Sequence, residues 1–148
     1  MKWLGVGFAM FLALALFPQR AGELVHHHAS YIEEVDGADS NIPFTVQYID
    51  LDKYQSVNAY ENTFTTMPEQ GGKLTVKVHN KNSTGQVMLK VYRGTEEFGY
   101  TDVKAGTEGT RTFAMHDGRG VTGDWKIYIT SRDGQVMNLQ IQAGQHNE

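Results

Sequence analysis

The side chains best suited to metal chemistry stand together near the start of the chain, at His26, His27 and His28. Neutral imidazole is a common ligand for zinc, copper and nickel. Successive side chains of an extended chain point to opposite sides, so three neighbours reach one ion only where the chain bends. The tract reads as a polar segment, and no metal ligand is predicted from it. Oxygen ligands gather twice, at Glu33, Glu34, Asp36, Asp39 and Asn41, and again at Asn80 and Asn82. Calcium accepts six to eight such oxygens from loops. Neither group has the glycine and distal glutamate of an EF-hand at the right offsets, so both read as solvated turns. No cofactor is expected, a structural calcium in one of these loops being the exception the composition allows.

Nucleophilic catalysis has its raw material in His116 beside Asp117, with Ser131 or Ser83 as the hydroxyl. A triad is assembled in space, but the chain offers no Gly-x-Ser-x-Gly elbow and no cysteine. Its acids cluster in predicted loops, and none stands alone in an apolar strand, where burial would raise its proton affinity for glycoside cleavage. No catalytic residue is predicted. Asn82, Ser83 and Thr84 match an N-glycosylation acceptor, which has meaning only in a eukaryotic secretory path.

The tyrosines carry a different signal. Val87, Leu89 and Val91 alternate with Met88, Lys90 and Tyr92, and Trp125, Ile127 and Ile129 alternate with Lys126, Tyr128 and Thr130. If the apolar sets face a core, Tyr92 and Lys90 share the opposite side of one strand, and Tyr128 and Lys126 that of another. A tyrosine ring is a flat apolar surface with a hydroxyl tip, suited to a sugar or a protein partner. Tyr92, Tyr128, Lys90 and Lys126 are the predicted ligand-binding residues. Cross-strand pairing alone also accounts for tyrosine in strands.

These residues need elements to hold them. The chain opens with Lys2 and an apolar stretch from Leu4 to Phe17, fourteen residues long, closed by Pro18, Gln19, Arg20, Ala21 and Gly22. A basic start, a short apolar middle and small residues after a helix breaker read as an export signal over residues 1–21, cut near Ala21 or Gly22. The stretch is shorter than the roughly 17–25 residues of a bilayer-spanning helix, so no stable membrane span is expected. The chain has formal charge −4, and removal of Lys2 and Arg20 with the signal leaves −6, which repels phosphate backbones and excludes nucleic acid as a partner. Small exported domains of animals and plants usually rely on disulfides, so the absence of cysteine points to a bacterial source and an extracellular setting.

Residues 22–41 read as a polar lead, a flexible arm or a loosely attached first strand, from which Tyr31, Ile32 and Val35 could dock. Residues 42–148 read as one β-domain. Period-two alternation is visible from Phe44 to Ile49, more weakly from Ser56 to Thr66, and clearly from Lys73 to His79 and from Gln86 to Tyr92. Glycines separate shorter segments at Phe98 to Val103 and Thr110 to Met115. Asp133 and Gly134 then suggest a hairpin between Trp125–Thr130 and Met137–Gln142. Short strands at about ten-residue spacing predict an all-β fold, an antiparallel β-sandwich of jelly-roll type.

The closing segment Gly123, Asp124, Trp125, Lys126, Ile127, Tyr128, Ile129, with Gly134 and Leu139 to Ile141, resembles the last hairpin of bacterial pre-peptidase C-terminal and proprotein-convertase P-type domains. Those are accessory domains of exported enzymes, and the resemblance implies a jelly-roll sandwich with a binding or stabilising role. The expected function is an exported, non-catalytic module, secreted or at the cell surface, that binds a cell-envelope component, a carbohydrate or a protein. Two alternatives stand beside it: an exported toxin or membrane-active β protein, and a small secreted hydrolase.

Overall fold

The computed structural model describes residues 32–35 and 41–147. The segment read as an export signal, the three histidines, Asp36 and Asp39 lie outside the described residues. The strands are β1 (Ile32–Val35), β2 (Val46–Ser56), β3 (Tyr60–Thr66), β4 (Lys73–Asn80), β5 (Gln86–Arg93), β6 (Glu96–Lys104), β7 (Glu108–Met115), β8 (Gly123–Ser131) and β9 (Met137–His146), with a 3-10 turn at Pro68–Gln70. They form two antiparallel sheets, one ordered β1-β7-β4-β9-β2 and the other β3-β8-β5-β6. Strands β2 to β9 in this order make the jelly roll, and β1 extends the first sheet beyond β7.

The predicted strands are present, but the hairpin predicted at Asp133–Gly134 is not, because β8 and β9 lie in different sheets. β4 and β5 are likewise in different sheets. The turns at 81–85 and 132–136 therefore arch across the sandwich. Alternation records that one face of a strand is buried; it is the same whether the next strand pairs beside it or packs opposite it. The described strands contain one sequence-adjacent pair in a shared ladder, β5 with β6. Its loop is Gly94 and Thr95, and Gly94 has φ +56, the positive value a two-residue hairpin needs.

The inward faces meet as packed sheets do, about 10 Å apart. Leu74, Val76 and Val78 of β4 and Leu139 and Ile141 of β9 oppose Leu89 and Val91 of β5 and Ile127 and Ile129 of β8, all fully buried. At one side Phe113 lies between Phe98 and Trp125, with ring centroids 4.9 and 5.3 Å away. Burying an indole hides a donor, and the Trp125 Nε1–H is satisfied by Thr66 Oγ1 at 2.9 Å.

Strand β2 departs from its sequence pattern for an identifiable reason. Alternation puts Val46 and Tyr48 on one face and Ile49 on the other, yet Ile49 is buried opposite Ala143. The ladder skips a residue between Gln47 and Ile49, and such a bulge reverses the facing of the side chains that follow until a second irregularity between Leu51 and Tyr54 restores it. Tyr48, the extra residue, stacks on Phe64 at 4.6 Å. Its hydroxyl donates to Gln70 Oε1 at 2.7 Å and reaches Gln145 Oε1. Burial raises the proton affinity of this phenol, with Glu69 nearby adding to the effect. The Gln145 Nε2 amide, wholly buried, faces the carbonyls of Met67, Gly71 and Val121, and so ties the β3–β4 and β7–β8 loops at one end of the sandwich. Gly120 belongs to the same end; a Cβ there would collide with the Pro68 backbone.

Part of the polar lead belongs to the sandwich. Over Ile32–Val35 the chain is a strand rather than an arm, with Ile32 buried and Glu34 opposite Phe113. Glu34 shares the Ile32 side of β1 and stays 44% exposed at the sheet edge, where it meets the buried side chain of Arg111, 3% exposed. The guanidinium holds both carboxylate oxygens at 2.8 Å and donates to the carbonyls of Phe98 and Gly99 across the sandwich. A bidentate pair of this kind fixes position as well as charge. Replacing Glu34 by Ala should lower stability by about 1–3 kcal/mol, since Arg111 keeps its carbonyls but loses its counter-charge. Urea unfolding checks this; an unchanged midpoint would show that β1 contributes nothing to the folded unit.

Candidate ligand-binding face

The outer face of the β3-β8-β5-β6 sheet collects the four side chains singled out from the sequence. In the β5–β8 ladder Lys90 stands opposite Tyr128, and Tyr92 opposite Lys126. The result is a two-by-two block with like residues on its diagonals. β6 widens it with Tyr100 opposite Lys90 and Glu97 opposite Tyr92; β3 does so with Glu61 opposite Tyr128 and Thr63 opposite Lys126.

The cations of this block are engaged. Lys126 Nζ lies 4.4 Å from the centre of the Tyr92 ring, and Lys90 Nζ lies 5.1 Å from the same ring and 4.6 Å from that of Tyr100. Lys90 also pairs with Glu97, and Arg132 with Asp102 at 2.9 Å. Each ammonium over a ring is worth about 0.5–1 kcal/mol at an exposed site. Tyr92 is thus held by two ammonium groups, whereas the Tyr128 ring makes no ring or cation contact among the described residues. Tyr100 is 52% exposed. It was missed from the sequence because Phe98 and Gly99 obscure the alternation of β6. Counting back from buried Val103 would have found it, since Tyr100, Asp102 and Lys104 share the outward parity.

Beside the block lies a depression of about 410 Å3. Its polar walls are Thr63, Thr65, Asp124 and Lys126, and Gly94 stands at its rim. Thr65 donates its hydroxyl proton to Asp124 Oδ1 at 2.6 Å, and the Gly94 N–H donates to the Asp124 carbonyl at 2.8 Å. The carboxylate is fixed in place with one oxygen left over. On the other sheet the hollow between Lys77, His79, Glu108, Gln140 and Gln142 holds about 50 Å3, too little for an organic ligand.

The tyrosine hydroxyls divide by location. Tyr48, Tyr54 and Tyr60 use theirs within the protein, on Gln70, on the Asn58 carbonyl and on Asn62. Burial also raises the proton affinity of Tyr60. On the outer face the hydroxyls of Tyr92, Tyr100, Tyr128 and Thr63 bond to no protein group among the described residues.

The other candidates do not converge. His116 and Asp117 follow β7 at one end of the sandwich, while Ser131 closes β8 and Ser83 lies in the β4–β5 turn at the other. The nine-residue β8 separates those ends by roughly 25 Å. His116 is exposed and stands 3.4 Å from Glu33, and Asp117 faces Arg119. Of the suspected calcium oxygens, Glu34 is taken by Arg111. Asn80 bonds the Val103 carbonyl and the Asn82 N–H, and Asn82 Nδ2 the Val136 carbonyl. Among the described residues no three His, Asp or Glu side chains gather as a metal site, and no helix is long and apolar enough to cross a membrane.

No family model matches the chain, and no curated protein sequence matches it. Among solved structures, a mitogen derived from Yersinia pseudotuberculosis is similar over 62% of this chain and 88% of its own, with 17% identity and a TM-score of 0.36. At that distance function has to be read from the site itself.

One nucleophile-like contact remains, on the opposite sheet. Thr75 Oγ1 lies 2.8 Å from His146 Nε2 and 2.9 Å from Thr112 Oγ1, all three residues being buried. Burial lowers the proton affinity of His146, opposed by its bond to the Asn147 carbonyl and reinforced by Lys73 and Lys77. Burial thus favours the neutral imidazole. The unfolded chain binds a proton near pH 6.5 more readily than the folded chain does, so this contribution to stability is complete above that pH and falls as pH drops below it. Denaturation at pH 7.5 and 5.5 should show a smaller loss for His146→Gln than for the parent; equal losses would contradict the assignment.

Proposed function

We propose that the chain is an exported, non-catalytic binding module that meets a cell-envelope component, a carbohydrate or a protein through the outer face of the β3-β8-β5-β6 sheet. The observation that carries this reading is the tyrosine–lysine block formed by Tyr92, Tyr128, Lys90 and Lys126, with the polar depression at its side. A block built on four paired strands presents its groups without a backbone ordering cost at binding, which favours affinity. Tyrosine contributes apolar area and a hydroxyl with only two side-chain torsions to fix. The export signal read from residues 1–21 supports a partner outside the cytoplasm. The resemblance of the closing segment to accessory domains of exported enzymes points the same way, by analogy alone.

Tyr128→Ala is expected to weaken retention of the chain on isolated cell walls or on polysaccharide and protein arrays by about tenfold or more, the scale of a central aromatic anchor. Tyr92→Ala should weaken it less directly, by releasing Lys90 and Lys126. Both variants should melt within a few degrees of the parent. If the parent is retained on none of these surfaces, the reading fails.

A further inference from the structure

We infer that the depression walled by Thr63, Thr65, Asp124 and Lys126 is a subsite for one unit of an uncharged sugar chain whose next unit lies on Tyr128; this rests on the binding-module reading above. The volume of about 410 Å3 falls in the range of small-molecule sites, roughly 300–1,000 Å3. Its chemistry suits a polyol. Each sugar hydroxyl both donates and accepts, and the walls offer the second oxygen of Asp124 as acceptor, the Lys126 ammonium as donor and the Thr63 hydroxyl as either. Asp124 is already oriented by Thr65 at 2.6 Å, so it needs no rearrangement to bind.

Tyr128 follows Lys126 on the outward side of β8, two residues or about 7 Å further along the strand. Its side chain is half-buried, its ring makes no ring or cation contact, and its hydroxyl makes no hydrogen bond among the described residues. An apolar ring next to a hydroxyl-binding hollow matches a sugar, which has one C–H face and an equatorial belt of hydroxyls. The charge pattern decides which sugars. Lys90 is paired with Glu97, Arg132 with Asp102, and Lys126 stands on the Tyr92 ring with Asp124 two residues away on the same face. Glu61 adds a further acid. The charges of the face balance, Lys90, Lys104, Lys126 and Arg132 against Glu61, Glu97, Asp102 and Asp124, so a sulfated or uronate chain gains no net attraction and meets Glu61 and Asp124 as repulsion.

The test uses the full chain on an array of neutral gluco-, manno- and galacto-oligosaccharides, beside sulfated and uronate chains and a cell-wall preparation. Retention on neutral chains is expected, little changed as salt is raised, because screening acts on charge pairs. Asp124→Asn and Tyr128→Ala should each reduce it by about tenfold or more, as the loss of a charge-assisted hydrogen bond or an aromatic anchor does. Thr63→Val, which removes a hydroxyl with no protein partner, should reduce it several-fold without touching the fold. His79→Ala on the other sheet should leave it unchanged. Retention limited to anionic chains, retention abolished by salt, or neutral-sugar retention indifferent to these variants would overturn the inference. Tyr128-dependent retention on cell walls or protein with no sugar retained would also overturn it, while leaving the binding-module reading intact. Absence of retention on every surface would overturn both.

Discussion

Contact between the two apolar sheet faces governs the rest of this molecule. Neither sheet can leave Leu74, Val76, Leu139 or Ile141 on one side, or Leu89, Val91, Ile127 and Ile129 on the other, facing water at a cost of about 1.5–3 kcal/mol per side chain. Once those rows face each other, the parity of a strand sends every second residue outward. Tyr92, Lys90, Tyr128 and Lys126 are outward for that reason alone. The candidate site is thus the reverse side of the core, and its rigidity is that of the core.

Polar groups complete the sandwich where apolar ones cannot. At one edge Arg111 reaches from β7 to the β6 backbone and to Glu34 of β1, so a single buried charge joins three strands. At one end Gln145 gathers the backbone of the β3–β4 and β7–β8 loops, with Tyr48 bonded to the Gln70 side chain beside it. No buried side-chain nitrogen or oxygen among the described residues lacks a partner, as a low-dielectric interior requires. The Thr75–His146 contact belongs with these groups. It has the atoms of a nucleophile and a base, but it serves to satisfy a buried imidazole.

The strands were legible in the sequence because one-sided burial writes a period of two into it, most plainly in β4, β5, β8 and β9. Their partners were not legible, since an arch and a hairpin impose the same alternation; only the sheet order distinguishes them. Asp133–Gly134 correctly marked a turn and wrongly suggested a ladder. β2 concealed its facing behind a bulge at Tyr48. β1 was read as part of a polar lead because a charged Glu34 shares the side of Ile32, and its partner there, Arg111, lies 77 positions away. The common face of Lys90 and Tyr92, and that of Lys126 and Tyr128, followed from parity. Their union into one block depended on β5 pairing with β8, which no local signal encodes. The depression was out of reach for the same reason, as Thr63 and Asp124 come from strands far apart in the chain.

Placing ligand contact on the outer face of one particular sheet is the claim on which the functional account rests. Amide chemical-shift mapping of the isotopically labelled chain, titrated with soluble cell-wall fragments, tests it most directly. The account predicts that the shifted amides cluster on β3, β8, β5 and β6, centred on Lys126 and Tyr128 and extending to Thr63 and Tyr100. Shifts centred instead on the β1-β7-β4-β9-β2 sheet, or on the turns at 57–59 and 132–136, would contradict it.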